Sequence, residues 1–391
     1  MSKWRSVLLS VLCLLLIVPF ILPTVYAEPD LSGSVISMPS VSAQSAILIE
    51  TESGARVYDK QADEPLPMAS TTKIMTALVA LEQAAPDLSV TVPADAVGTE
   101  GSSVYLVEGE TLTLEHLLYA LLLESANDAA VTIAYGIAGS VEAFSDLMNE
   151  KAKSLGLTHT RFSNPHGLDD DAHYTTAYEL ALITKCALEN ELFRTIVSTR
   201  KTTIPHAGID GVRLLVNHNK MLRLYDGCIG VKTGFTKKSG RCLVSAAERD
   251  GVELIAVTLH APDDWDDHQK LLDYGFSKYQ SVTLCTEDQI QVSLPIVGGI
   301  DTYVMLSSKD TVQRVLPQGY GEIECAIRAQ HFEYAPVREG DELGKAVFLC
   351  DTDGDGIKEV IGESTLTACY TIEQRKVKKS FWKWICSLFG K

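Results

Sequence analysis

The sequence predicts an α+β fold, in which an antiparallel sheet carrying a helical subdomain is followed by a small all-β sandwich and a C-terminal amphipathic helix. Apolar residues recur at helical spacing in successive segments between residues 71 and 154. The pattern then becomes strand-like, with Leu243 to Ala247 and Val252 to Leu259 joined across Arg249-Asp250-Gly251 as a hairpin with an Asp-Gly turn. From about residue 282 to 372 the alternation is strand-like throughout, with Gly and Pro turns.

In chain order, Lys3-Trp4-Arg5, the apolar run from Val7 to Leu22 and Val25-Tyr26-Ala27 before Glu28 form a basic region, an apolar region and a small-x-Ala cleavage site. That is the pattern of a secretory signal peptide, so residues 1–27 are expected to be removed and the mature chain to lie outside the cytoplasmic membrane. Cys13 follows Leu12 and lacks the small residue that a lipoprotein signal needs. The stretch from Ser45 to Glu50 meets a Ser53-Gly54 turn and then Arg56-Val57-Tyr58, a hairpin. Thr71 to Gln83 is apolar nearly all round (Ile74, Met75, Leu78, Val79, Leu81), which predicts a central, buried helix. Leu114, Leu117, Leu118, Leu121 and Leu122 mark an amphipathic helix ending near Glu124, and further helices are expected over 128–137 and 141–154. The loop Asn164-Pro165-His166-Gly167-Leu168-Asp169-Asp170-Asp171 comes next, and 264–277 reads as a closing helix. The domain so built spans 28–281. In the β module, 282–372, Ile290, Val292 and Leu294 alternate with polar residues, as do Ile323, Cys325 and Ile327. In the tail, 375–391, Val377, Phe381, Trp384, Ile385 and Leu388 share one helical face while Lys376, Ser380, Lys383, Ser387 and Lys391 line the other. Such a helix suits the headgroup region of a membrane surface better than a membrane span.

The composition is 46% hydrophobic and 22% charged, which excludes a disordered polymer, a collagen-like fibre and a polytopic membrane protein. The net charge is −17, and without the eight basic residues of 1–27 and 375–391 it is −25 for residues 28–374. The body should repel nucleic acid, so none is expected as a partner, while the tail should attract anionic surfaces. The nine cysteines include no CxxC pair and are expected to be mostly free thiols, with Cys350 and Cys369 the one pair placed to bridge a hairpin. His159, His166 and His173 have no helical phase and there is no HExxH, so neither a catalytic metal nor another cofactor is expected. Asp351-Thr352-Asp353-Gly354-Asp355-Gly356 resembles a calcium loop, but position twelve is Gly362 and the flanks are strand-like, which favours a solvated turn.

Three motifs carry chemistry. Ser70-Thr71-Thr72-Lys73 opens the buried helix, Ser125-Ala126-Asn127 follows the Leu-rich helix, and Lys232-Thr233-Gly234 opens the strand region. Taken singly these are an N-cap, a turn and the start of a strand. Their order and settings together are those of serine β-lactamases and penicillin-binding proteins. At a helix N-terminus Ser70 has the positive end of the macrodipole behind its hydroxyl and its own N–H. Lys73 projects from the same face and acts as base only if neutral, which burial and the charge of Lys232 would bring about. The Ser125 hydroxyl both accepts and donates, and so relays a proton to a leaving amine. Asn127 offers an amide to a peptide carbonyl. Lys232 and Thr233 bind a carboxylate, Gly234 admits the substrate backbone, and the Phe235 N–H completes an oxyanion hole.

With Met68-Ala69-Ser70-Thr71-Thr72-Lys73, the Asn164 to Asp169 loop, Gly230-Val231-Lys232-Thr233-Gly234-Phe235-Thr236, the β module and the tail, the chain resembles the low-molecular-mass penicillin-binding proteins of the D-alanyl-D-alanine carboxypeptidase family, peptidase family S11. The resemblance implies a serine β-lactamase/penicillin-binding-type fold, with Ser70 as nucleophile, Lys73 as base, Ser125 and Asn127 as the second motif, and Lys232 and Thr233 on the substrate carboxylate. It implies removal of the terminal D-Ala from peptidoglycan stem peptides, with β-lactams as covalent inhibitors. Some members place an arginine after the last strand to grip that carboxylate, but residues 261–267 hold no basic residue here, which shifts recognition toward Lys232. The rivals are an endopeptidase or transpeptidase using the same chemistry, a catalytically silent muropeptide-binding protein, and a β-lactamase. The last needs a carboxylate to activate water, and between Lys151 and Tyr178 there is no Glu, only Asp169 to Asp171.

Overall fold

The computed structural model describes residues 37–206 and 211–376, together with Ile385 and Ser387. The expected signal peptide and nearly all of the expected tail helix lie outside the described residues. The first part contains β1 (Ser45–Glu50), β2 (Arg56–Lys60), α1 (Lys73–Gln83) entered through a 3-10 turn at Ala69–Thr72, β3 (Ser89–Thr91), β4 (Thr111–Thr113), α2 (Leu114–Leu123), α3 (Asn127–Ala138), α4 (Val141–Ser154), α5 (Ala177–Leu188) and α6 (Glu191–Ser198). It continues with β5 (Lys201–Pro205), β6 (Val212–Val216), the single turn α7 (Met221–Leu224), β7 (Cys228–Thr236), β8 (Gly240–Arg249), β9 (Val252–Leu259) and α8 (Asp264–Phe276).

Five strands form one antiparallel sheet in the order β2-β1-β9-β8-β7. Every residue of β1 is buried because both faces are covered. Ile47 and Ile49 cluster with Ile255, Val257 and the α1 residues Ile74 and Met75, whereas Ala46 and Leu48 cluster with Leu254, Ala256 and Leu271 and Leu272 of α8. Alternate residues thus serve opposite faces, which is why the strand reads as a continuous apolar run. Helices α2, α3, α4 and α5 all touch α1, and that is the reason it is apolar around its whole circumference. The turn between β8 and β9 has both residues left-handed, Asp250 at φ 49° and Gly251 at φ 80°, as a type I′ hairpin requires. The β5–β6 hairpin is fastened by a buried bidentate pair, Arg213 Nη1 and Nη2 donating to Glu110 at 2.5 and 2.8 Å.

The all-β part begins with β10 (Tyr279–Cys285) and continues through β11 (Gln291–Val297), β12 (Tyr303–Ser308), β13 (Val312–Pro317), β14 (Glu324–Ala329), β15 (Glu333–Tyr334), β16 (Glu342–Cys350) and β17 (Glu359–Ala368). Six strands order as β14-β16-β17-β12-β11-β15, and β10 pairs with β13. The pairing of β15 with β11 is parallel, whereas the other pairings of this part are antiparallel. The edge strands β14 and β15 are separated by only the segment from Ala329 to Glu333, which spans at most about 14 Å. Six flat strands would put those edges about 24 Å apart, so the sheet curls over its core, which includes Leu294, Val304, Leu306, Phe348 and Leu366.

All seven described cysteines are free, and Cys350 is buried while Cys369 is exposed, so the bridge considered between them is not formed. Asp351 caps its own turn, accepting the Gly354 N–H at 2.7 Å and the Gly356 N–H at 2.9 Å, which holds its carboxyl below the usual range. Among the described residues no helix is long and apolar enough to cross a membrane.

Candidate active site

Ser70 occupies the 3-10 turn ahead of α1, where a first-turn N–H has no intrahelical acceptor. Side chains pin that turn. Thr71 Oγ1 donates to the Met68 carbonyl at 2.6 Å and Thr72 Oγ1 to the Ala69 carbonyl at 2.7 Å. His173 Nδ1 accepts the Ser163 N–H at 3.1 Å, so Nε2 carries the ring proton and donates it to Thr72 Oγ1, 2.7 Å away. Burial pulls the His173 pKa down to about 4, in keeping with that neutral ring.

Lys73 is wholly buried. Its Nζ lies 3.0 Å from Ser70 Oγ, 2.7 Å from Asn127 Oδ1 and 2.6 Å from the His166 carbonyl. The last two groups can only accept. A neutral amine satisfies both with its two N–H bonds and turns its lone pair toward the one partner able to donate, the Ser70 hydroxyl. Burial pulls the Lys73 pKa well below the ordinary lysine value, the charge of Lys232 pulls the same way, and Asp128 opposes them. The His166 carbonyl is presented by the 164–171 loop, in which Asn164 Oδ1 accepts the Gly167 N–H at 2.7 Å and the Pro165 carbonyl accepts from Thr76 Oγ1 at 2.6 Å.

Ser125 and Asn127 bracket the start of α3, with Ser125 in the left-handed region at φ 60°. The Asn127 N–H donates to the Ser102 carbonyl at 2.7 Å, and Nδ2 donates to the Glu100 carbonyl at 2.5 Å. The Asn127 side-chain amide thus has its oxygen on Lys73 and one Nδ2 hydrogen on Glu100, with one Nδ2 hydrogen unpaired among the described residues. On β7, Lys232 is 2% exposed, its Nζ donates to the Thr233 carbonyl at 3.0 Å, and burial pulls its pKa to about 7. Gly234 touches the Ser70 turn so closely that an added Cβ would sit 3.1 Å from the Ser70 nitrogen and from the Met68 carbonyl oxygen. Ser70, Ser125, Thr233, Gly234 and Phe235 line one cavity of about 390 Å³, and both lysines are buried.

A D-alanyl-D-alanine carboxypeptidase family model matches residues 33–263. The chain belongs to that family. The D-alanyl-D-alanine carboxypeptidase DacF of Bacillus subtilis is 32% identical over 373 residues, covering 92% of this chain and 93% of that protein. Penicillin-binding protein 5 of Haemophilus influenzae has the same fold, with a TM-score of 0.63, 26% identity and coverage of 87% of this chain and 100% of that one. The Streptomyces K15 DD-transpeptidase matches with a TM-score of 0.59 at 34% identity, covering 62% of this chain and all of its own.

In this member of the D-alanyl-D-alanine carboxypeptidase family the rim of the cavity comes from residues absent from the sequence motifs: Ser102, His218, Lys220, Arg241, Asp264 and Trp265. Arg241 was legible in principle, since it follows the strand motif by one hairpin turn and pairs with Phe235. The three aspartates that offered themselves as water-activating carboxylates are engaged elsewhere. Asp169 accepts from Thr236 Oγ1 at 2.8 Å, Asp170 from the Ala172 N–H at 2.7 Å, and Asp171 pairs with Lys238 at 2.6 Å.

Proposed function

We propose that this chain is a serine D-Ala-D-Ala carboxypeptidase that trims peptidoglycan stem peptides. The observation that carries the reading is the buried Lys73 amine, with two acceptor-only partners and its remaining contact on Ser70 Oγ. Ser70 Oγ attacks the penultimate carbonyl as its proton passes to Lys73, and the oxyanion forms between the N–H groups of Ser70 and Phe235. Ser125 carries the proton onward to the departing D-Ala amine, with Asn127 on the peptide carbonyl and Lys232 and Thr233 on the carboxylate. Water then cleaves the ester, giving its proton back through Lys73 to restore the Ser70 hydroxyl. The engaged aspartates favour this over a β-lactamase, because each of the three candidates for activating the deacylating water already has a partner within the protein. Incubated with a peptide ending in D-Ala-D-Ala, the protein should release D-Ala, and penicillin should leave a long-lived adduct on Ser70 visible by mass spectrometry. Fast penicillin turnover without D-Ala release would make it a β-lactamase instead.

The division into 28–281 and 282–372, the export of the chain and its attachment by 375–391 belong to the same reading. Export and attachment are supported by the apolar and basic patterning of the two ends against a body of charge −25, and the division by the change to strands alone after α8. Truncation after Gln374 should abolish co-sedimentation with phosphatidylglycerol vesicles while soluble D-Ala release is kept. A truncated protein that still sediments would remove the anchor.

A further inference from the structure

We propose that Arg241 grips the terminal carboxylate of the peptide, with Asp264 and Trp265 as the residues that position it. The proposal rests on the carboxypeptidase reading and names the residue that recognises the end of its substrate.

Arg241 stands on β8 directly across from Phe235 of β7, and Thr233, two residues earlier on β7, points to the same side of the sheet as Phe235. All three side chains line the cavity that holds Ser70. The guanidinium is aimed by a fixed anion. Asp264, 3% exposed in its side chain, accepts Nη2 at 2.7 Å while its own Oδ1 also takes the Trp265 N–H at 2.9 Å. The Trp265 ring centroid lies 5.5 Å from the guanidinium carbon. Nη2 is the one guanidinium nitrogen with a hydrogen-bond partner among the described residues, and the side chain remains 41% exposed, so its other donors are accessible. A planar fork with one edge already anchored is preorganised for a second, bidentate carboxylate.

The remaining cations suit the task less well. Lys232 is buried and drawn to about 7, so a large fraction of it is neutral at physiological pH, whereas a guanidinium stays charged throughout. His218 is 3.0 Å from Glu124, and Lys220 is an exposed, flexible point charge at the foot of α7. The carboxylate function expected of Lys232 and Thr233 is thereby shared with a residue on the neighbouring strand.

The test compares Ser70 acylation by benzylpenicillin and by its methyl ester, which differ in the carboxylate. Wild type should favour the acid. Arg241→Gln should slow acylation by the acid about tenfold to a hundredfold and affect the ester far less, so that the preference collapses. Arg241→Lys should recover part of it, and the loss with peptide should appear more in KM than in kcat. Equal losses for acid and ester, no loss for either, or a collapse produced by Lys220→Gln in place of Arg241→Gln would each overturn the proposal. Should wild type release no D-Ala from peptide, the carboxypeptidase reading fails, while the acid and ester pair still decides whether Arg241 reads a carboxylate.

Discussion

Lys73→Ala is expected to slow acylation of Ser70 about 10³-fold, by peptide and by penicillin alike, in a protein that still folds. On the proposed mechanism the substitution removes the group that takes the serine proton, and it leaves the cavity lined as before. The Asn127 carbonyl and the His166 carbonyl each lose a donor, which costs about 1–3 kcal/mol apiece unless water replaces it. Stopped-flow acylation with a reporter penicillin, beside circular dichroism, separates the two effects. A rate within about tenfold of wild type would transfer the role of base to another group. The wild-type pH profile carries the same information. A protonated amine has no lone pair, so acylation should fall as the pH drops through the lowered pKa of Lys73. In Lys232→Ala the positive neighbour is gone, the protonated form of Lys73 is less disfavoured, its pKa rises, and the acid limb moves to higher pH, with KM raised as well. A limb that stays in place would mean that Lys232 does not tune Lys73.

Elements with periodic or continuous apolar runs were legible, and those whose environment inverts the usual pattern were not. α4 has the bounds expected because Ser140 Oγ accepts the Ala143 N–H at its start. α5 was open to reading, since Thr176 caps the Glu179 N–H in a Thr-x-x-Glu box, but the polar loop before it obscured the signal. The β5–β6 hairpin runs against the rule. Val212, Leu214 and Val216 face outward while Arg213 is buried on Glu110, so the apolar alternation along 212–216 marks the exposed face.

The members of the candidate site were legible where they reside in short motifs, since Ser70, Lys73, Ser125, Asn127, Lys232, Thr233, Gly234 and Phe235 come together in space. What local sequence does not encode is the closure of the cavity. Arg241 reaches it through the β7–β8 register and Asp264 and Trp265 through the seat of α8, while His173 braces the Ser70 turn through Thr72 from a loop folded back onto it.

Gly167→Ala is expected to be costly in both stability and rate, because Gly167 is where that loop meets the turn. An added Cβ would lie 2.0 Å from the Ala69 carbonyl oxygen and 2.8 Å from Thr72 Oγ1. Neither can step aside, since the first is backbone and the second donates to it at 2.7 Å. The residue also sits at φ 88°, where an L side chain is strained. Clash and strain together should cost about 3 kcal/mol or more. The loop must lift, and with it the His166 carbonyl that holds Lys73 Nζ at 2.6 Å, so acylation should fall about 10²-fold through misplacement of the base. Gly156 supplies the comparison, with a similar φ of 75° and nothing within 4 Å of an added Cβ. Gly156→Ala should lose about 1 kcal/mol and acylate within about twofold of wild type. Thermal melts and penicillin acylation of the two variants separate backbone strain from the contact itself. Wild-type acylation by Gly167→Ala would show that the loop does not position Lys73.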